Sequence, residues 1–225
     1  MKKLLAAIIA AALLLSGCSL SSRPAVSAPP AETPSPSPTP IVTPTPEPEP
    51  SDDELVLVRD YIPGIFIDLK YATTDNFTGQ VIYDSDEAYL RYGTVKKLLA
   101  AQNELSGRGL SLKIWDAYRP VSAQFKLWEI CPNPVYVSDP NNGYSKHSRA
   151  NTVDITLVTS TGESIPMPSG FDDFTSLADR DYSDVSAEAA ENARLLENVM
   201  VENGFVPYSG EWWHYSDSVS YDVYG

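Results

Sequence analysis

The 225-residue chain has 30 acidic and 16 basic side chains, a formal charge of −14 at neutral pH. Such a balance disfavours nucleic acid and anionic lipid surfaces as partners, since like charges repel. Its two cysteines, Cys18 and Cys131, are too few for a disulfide framework.

Met1-Lys2-Lys3 is a short basic start, followed by an unbroken Leu/Ala/Ile run from Leu4 to Leu15. That run is shorter than the about 20 residues needed to span a bilayer. It matches the apolar core of a secretory signal, so residues 1–17 read as a leader. Leu15-Ser16-Gly17-Cys18 resembles a bacterial lipobox. The resemblance implies cleavage before Cys18, lipidation there, and an extracytoplasmic protein anchored to the bacterial cell membrane. A plain signal peptide with an incidental cysteine is the alternative.

Residues 18–54 change character. Eleven of the 19 prolines lie between Pro24 and Pro50, mixed with Ser, Thr, Ala and Glu. Such a stretch cannot bury a core and predicts a disordered, polyproline-like tether. A motif for a proline-binding partner is the other reading.

Residues 55–225 suit one domain with one core. Leu55 to Asp60 and Ile65 to Leu69 read as short strands around the Pro63-Gly64 turn. Asp84 to about Leu105 reads as a helix capped by Asp84 or Ser85, with Leu90, Val95, Leu98, Leu99 and Leu105 as its stripe and Gly107 and Gly109 ending it. Leu110 to Trp115 predicts a strand and Ser122 to Ile130 a short helix. In Asn151 to Thr159, Val153, Ile155 and Leu157 alternate with Thr152, Asp154 and Thr156, which predicts a strand with Asp154 on the face away from the core. Ser186 to Asn203 predicts an amphipathic helix stopped by Gly204. No strand–helix–strand unit repeats. The expected fold is therefore α+β: a single domain, largely antiparallel sheet flanked by helices.

Only two histidines occur, His147 and His214. His147 precedes Asp154 by seven residues, on a polar loop entering the Asp154 strand. Zinc takes neutral imidazole and carboxylate oxygen readily, so His147, Asp154 and His214 are candidate ligands for one Zn2+ per chain at the sheet. Glu211 lies three residues before His214. The two share a face only if the chain bends, and a bend after Gly210 is expected. Glu211 is then the candidate general base for a metal-activated water. Each residue also has a plainer reading: a satisfied histidine, a turn carboxylate, a solvated glutamate, core tryptophans. Cys131, between Ile130 and Pro132, reads as a small core residue.

These residues carry a resemblance. Ser145-Lys146-His147 through Asp154 is similar to the Ser-x-His-x-x-Gly-x-Ala-x-Asp pattern of the zinc D-alanyl-D-alanine peptidases, and Glu211-Trp212-Trp213-His214 to their Glu-x-x-His segment. Asp116-Ala117-Tyr118-Arg119-Pro120 resembles their Asp-x-Tyr-Arg-Pro segment. Tyr71 to Gly79 resembles the region ahead of it in the D-Ala-D-Ala dipeptidase branch, the VanX type. The match runs from about Asp60 to Tyr215. It implies zinc ligation by His147, Asp154 and His214, catalysis by Glu211, and oxyanion stabilisation by Arg119. An ion pair between Arg119 and Asp116 is the structural alternative. It further implies that Asp172 binds the substrate ammonium, with Ser145 also near the amine; Asp172 could equally be a surface charge.

Two departures stand out: Ala150 replaces the family Gly and Thr152 the family Ala. A positive φ at 150 would cost Ala on the order of 1 kcal/mol. The expected partner is a D-amino-acid dipeptide or peptidoglycan peptide, and no nucleic acid. Three activities follow as expectations: a D-Ala-D-Ala dipeptidase in cell-wall peptide turnover, a D,D- or L,D-carboxypeptidase trimming stem peptides, and a lipoprotein that binds without turnover.

Overall fold

The computed structural model describes residues 48–224. The expected leader 1–17, Cys18 and the linker as far as residue 47 lie outside the described residues. Among the described residues no helix is long and apolar enough to cross a membrane.

The chain enters through a turn at Asp52-Asp53 and forms β1 (Leu55–Leu57), α1 (Val58–Tyr61) and β2 (Phe66–Ile67). The strand expected over Leu55 to Asp60 thus becomes helical at Val58. An all-apolar run such as Leu55-Val56-Leu57-Val58 has no period to separate the two states. Here β1 pairs antiparallel with β3 (Tyr89–Arg91) for three residues, and the Ile62 N–H then closes a helical turn on the Val58 carbonyl.

β3 also corrects the helix expected from Asp84. The helix is α2, Tyr92–Ser106, and Leu90 sits on a strand. Asp84 and Ser85 do not cap it; Ser85 Oγ accepts from the Glu87 N–H in a separate turn. Nor does the N-cap residue, Arg91, offer a side-chain cap. The first-turn N–H groups of Tyr92 and Gly93 donate instead to the carbonyls of Glu54 and Asp52. These are orphan donors at any helix start, and backbone supplied from elsewhere satisfies them. Residues 52–54, which composition places in the linker, therefore pack on the domain.

β4 (Leu110–Asp116), α3 (Val121–Ile130), β5 (Thr152–Thr159), α4 (Ala187–Glu202), β6 (Phe205–Tyr208) and β7 (Glu211–Asp217) complete the fold. The main sheet runs β2-β4-β5-β7-β6, with only the β2–β4 pair parallel. It is α+β and largely antiparallel, as expected. Ser186 caps α4 by accepting from the Ala189 N–H, and Gly204 (φ 86°) turns the chain out of it. α2 packs on β4 and on α4, and α4 on β5, β6 and β7, burying Leu98, Leu105, Leu196 and Met200 with Val153, Ile155 and Leu157 in one core. Thr152, Asp154 and Thr156, on the other face of β5, are buried too. Cys131 is half-buried against the core.

Candidate metal centre

In the antiparallel ladder Asp154 of β5 lies directly opposite His214 of β7. Directly opposed residues project from the same face, which brings His214 Nδ1 to 2.9 Å from Asp154 Oδ1. A bulge in β4 at Trp115 puts Asp116 opposite Asp154 on the other side.

His147 arrives from outside the sheet, on a 3-10 turn over Lys146–Arg149. Ser145 Oγ caps that turn by accepting the His147 N–H at 3.3 Å, and the His147 carbonyl accepts from the N–H groups of Arg119 and Ala150. The ring is oriented by Nδ1, 2.9 Å from the Ala117 carbonyl oxygen. A carbonyl only accepts, so Nδ1 carries the proton and Nε2 presents its lone pair inward. Nε2 lies 3.3 Å from His214 Nδ1 and 3.3 Å from Asp154 Oδ2.

One ligand atom from each of His147, Asp154 and His214 falls within 4.8 Å of the other two. Donors held at about 2.1 Å around a tetrahedral zinc stand roughly 3.4 Å apart. Two imidazoles and one carboxylate, spaced close to that distance, fit the ion. Burial pushes the Asp154 carboxyl up, but His147 and His214 overcome it and hold the group far below the usual carboxylate range. Burial alone would depress His147; the Asp154 and Asp116 carboxylates raise it instead. The cluster thus favours positive charge, which a divalent cation can supply.

Glu211 reaches the same place by an unexpected route. No turn or helical bend follows Gly210. β7 starts at Glu211 and bulges: Tyr208 pairs with Glu211 and Pro207 with Tyr215, leaving Trp212, Trp213 and His214 without partners on β6. The bulge breaks the strand alternation, so Glu211 Oε2 lies 3.5 Å from His214 Nδ1. Its side chain is 37 % exposed. Burial, and then the Asp154 charge, raise its pKa above the ordinary value.

The bulge is clamped by a residue the sequence reading passed over. Arg180 donates from Nε to the Tyr208 carbonyl at 2.7 Å and from Nη2 to the His214 carbonyl at 3.1 Å. Its Nη1 pairs with Glu197 of α4 at 3.0 Å, and the guanidinium lies over the Tyr215 ring. Arg180→Met should cost about 3 kcal/mol, because it leaves two carbonyls without a donor and Glu197 with only the Tyr182 hydroxyl. Urea unfolding checks this, and Arg180→Lys should recover only part of the loss since a lysine lacks the fork.

Arg119 forms the ion pair with Asp116, Nη2 to Oδ2 at 2.6 Å, donates to Gln124 Oε1 at 2.9 Å, and stacks on Tyr71. Asp116 Oδ1 also accepts from the Tyr83 hydroxyl at 2.5 Å. Tyr71 then donates its hydroxyl to Asp172 Oδ2 at 2.8 Å. Burial, opposed by that hydrogen bond and reinforced by the Asp154 charge, pushes the Asp172 carboxyl up to about 7. Asp172 is half-buried. Tyr71, Tyr83 and Asp116 tie these segments together; Tyr71 and Asp116 lie within two of the motifs, whereas Tyr83 lies outside them and carries no such signal.

Ala150 adopts φ 57° and ψ 29°, the left-handed conformation that glycine favours. That costs an alanine about 1–2 kcal/mol. Its fully buried methyl returns about 0.8 kcal/mol, and alanine also stiffens the unfolded chain by about 0.4–1 kcal/mol. The terms nearly cancel, so Ala150→Gly should shift the melting temperature by less than about 4 °C. A larger rise by calorimetry would reveal strain that the methyl does not offset.

A cavity of about 440 Å3 lined by Tyr83, Tyr89, Tyr118 and Pro120 contains none of the cluster residues. The candidate metal centre therefore lies outside this cavity.

A His/Asp/His cluster on a sheet, with a carboxylate beside it, is the layout of a one-metal hydrolase. Residues 51–221 match the sequence profile of the D-Ala-D-Ala dipeptidase family. The chain is 39 % identical over 162 residues to a D-alanyl-D-alanine dipeptidase of Escherichia coli, covering 72 % of this chain and 83 % of that one. It is 35 % identical over 176 residues to the enzyme of that name from Enterococcus faecium, covering 69 % and 87 %. For the Streptomyces coelicolor enzyme of that name the figures are 36 % over 187 residues, 72 % and 91 %. The chain belongs to the D-Ala-D-Ala dipeptidase family.

Proposed function

We propose that this protein is a zinc-dependent D-alanyl-D-alanine dipeptidase acting in cell-wall peptide turnover. The observation that carries the reading is the convergence of His147, Asp154 and His214, with Glu211 beside them, in a chain whose relatives bear that enzyme's name. His147 Nε2, an Asp154 carboxylate oxygen and His214 Nδ1 would hold the ion. Zinc, when bound, supplies a Lewis acid and acidifies water at neutral pH.

The chain's own groups do the rest. Glu211 accepts the proton of the attacking water and passes it to the leaving amine, a role its half-buried, raised carboxyl suits. Arg119, held rigid by Asp116 and Gln124, offers fixed positive charge to the carbonyl oxygen as it becomes an oxyanion. Asp172 is a half-buried carboxyl whose side chain meets the Tyr71 hydroxyl and makes no ion pair among the described residues, and the ammonium of a dipeptide would favour its charged form. Ser145 acts through His147 by capping its turn.

The test gives zinc-loaded full chain either D-Ala-D-Ala or a muramyl pentapeptide and measures free D-Ala. Release from the dipeptide alone is expected. Release from the pentapeptide alone would favour a carboxypeptidase, and no release from either would favour a binding protein.

The leader, Cys18 and the Pro-rich stretch support an extracytoplasmic, lipid-anchored location on the bacterial cell membrane. Cys18→Ser should move the protein from the membrane to the soluble fraction. Unchanged fractionation would remove the anchor.

A further inference from the structure

In so acidic a chain, two lysines converge on one cavity. It measures about 310 Å3, and Lys70, Lys113, Thr156 and Ser164 line it together with Trp115 and Met167. That volume is at the small end of the roughly 300–1,000 Å3 typical of ligand pockets. Lys113 and Thr156 are directly paired across β4 and β5, and Thr156 is two residues beyond Asp154 on the same face. The cavity therefore lies on the metal-bearing side of the sheet, yet none of the metal cluster lines it.

The charges do not balance inside it. Lys70 is answered by Asp68 at 3.1 Å and Asp75 at 2.6 Å. Lys113 is half-buried and has no side-chain hydrogen bond or ion pair among the described residues. The Thr156 and Ser164 hydroxyls also lack side-chain partners among the described residues, although Thr156 is only 5 % exposed. An ammonium and two hydroxyls that face one void call for a group that accepts several hydrogen bonds and carries negative charge. Asp68 and Asp75 together offset the two lysines in sum, so what remains is one unpaired ammonium, Lys113, which fits a monoanion better than a phosphate dianion. Trp115, Leu157, Ile165 and Met167 supply apolar contact for a short carbon skeleton.

We propose that this cavity is a carboxylate-binding subsite, with the Lys113 ammonium as ion partner and the Thr156 and Ser164 hydroxyls as donors, for an amino-acid-sized ligand. One wall, residues 164–169, leads directly into Phe171-Asp172, and Phe171 packs on Trp115. The carboxylate could come from a free D-amino acid or from an acidic side chain of a longer peptide.

Calorimetric titration of the zinc-loaded full chain with D-alanine and with N-acetyl-D-glutamate tests this, with no turnover needed, so the result stands apart from the dipeptidase reading. At least one probe should bind saturably, and Lys113→Met should weaken that binding by about tenfold or more, the usual worth of a charged hydrogen bond. Lys113→Arg should retain most of it. Preference for D-alanine would assign the site to a free amino acid, and preference for N-acetyl-D-glutamate to a peptide side chain. The proposal is overturned if neither probe binds, or if Lys113→Met binds as tightly as the natural protein while melting at the same temperature. Should Lys113→Met fail to fold, Thr156→Val takes its place, with the same expected weakening and the same overturning result.

Discussion

Glu211→Gln should keep the metal and lose turnover, with kcat falling between about 100-fold and 10,000-fold, the range a positioned acid–base group contributes. Glutamine has the same length and can occupy the start of β7, but it cannot take up a proton. Neither the ligand triad nor the Arg180 clamp on the bulge involves the Glu211 carboxylate as a partner it cannot lose: the cluster holds through Asp154, and the clamp grips backbone. Steady-state kinetics on D-Ala-D-Ala, with zinc content measured on the same sample, check both halves of the statement. A variant as fast as the natural protein would remove Glu211 from the mechanism.

His147→Ala should act on the metal itself. The substitution deletes one of three protein ligands, and with it the hydrogen bond from Nδ1 to the Ala117 carbonyl that aims the ring. Loss of an outer-shell partner alone commonly costs 10–100-fold in metal affinity; loss of the ligand should exceed about 100-fold on that scale. Competition with a chelator of known affinity reads this directly, and turnover should fall with occupancy. Full zinc stoichiometry under competition would refute the assignment of His147. The remaining pair, Asp154 and His214, still faces each other across β5 and β7, so the fold should survive the change.

The clustering of the candidate ligands is legible because each carries a local signal. The Val153-Asp154-Ile155 alternation sets the face of β5, and only two histidines compete for roles. Ser186 and Gly204 bracket α4 by chemistry confined to a few residues. What the sequence concealed depends on distant partners. Tyr89 to Arg91 becomes a strand because β1 lies beside it, although Leu90 suits a helical stripe equally well. The bulge in β7 is set by its register with β6 and by Arg180, some thirty residues upstream, reaching the Tyr208 and His214 carbonyls. Glu211 and His214 were expected to share a face; the device that lets them do so could not be read from Gly210. Ala150 ran the other way: the family glycine raised a positive φ as a condition under which alanine would be strained, and the backbone meets that condition.

The contact between residues 52–54 and the start of α2 has a mechanical meaning. Any load arriving through the N-terminal segment meets the Asp52 and Glu54 carbonyls and the Lys96–Asp52 ion pair before it reaches the sheet. Tugging would peel this short latch and fray the first turn of α2, while β5 and β7, the strands that carry Asp154 and His214, lie on a separate sheet from β1. A shortened protein that begins at Leu55 would lack the latch from the outset, whereas one that begins at Pro48 would retain it.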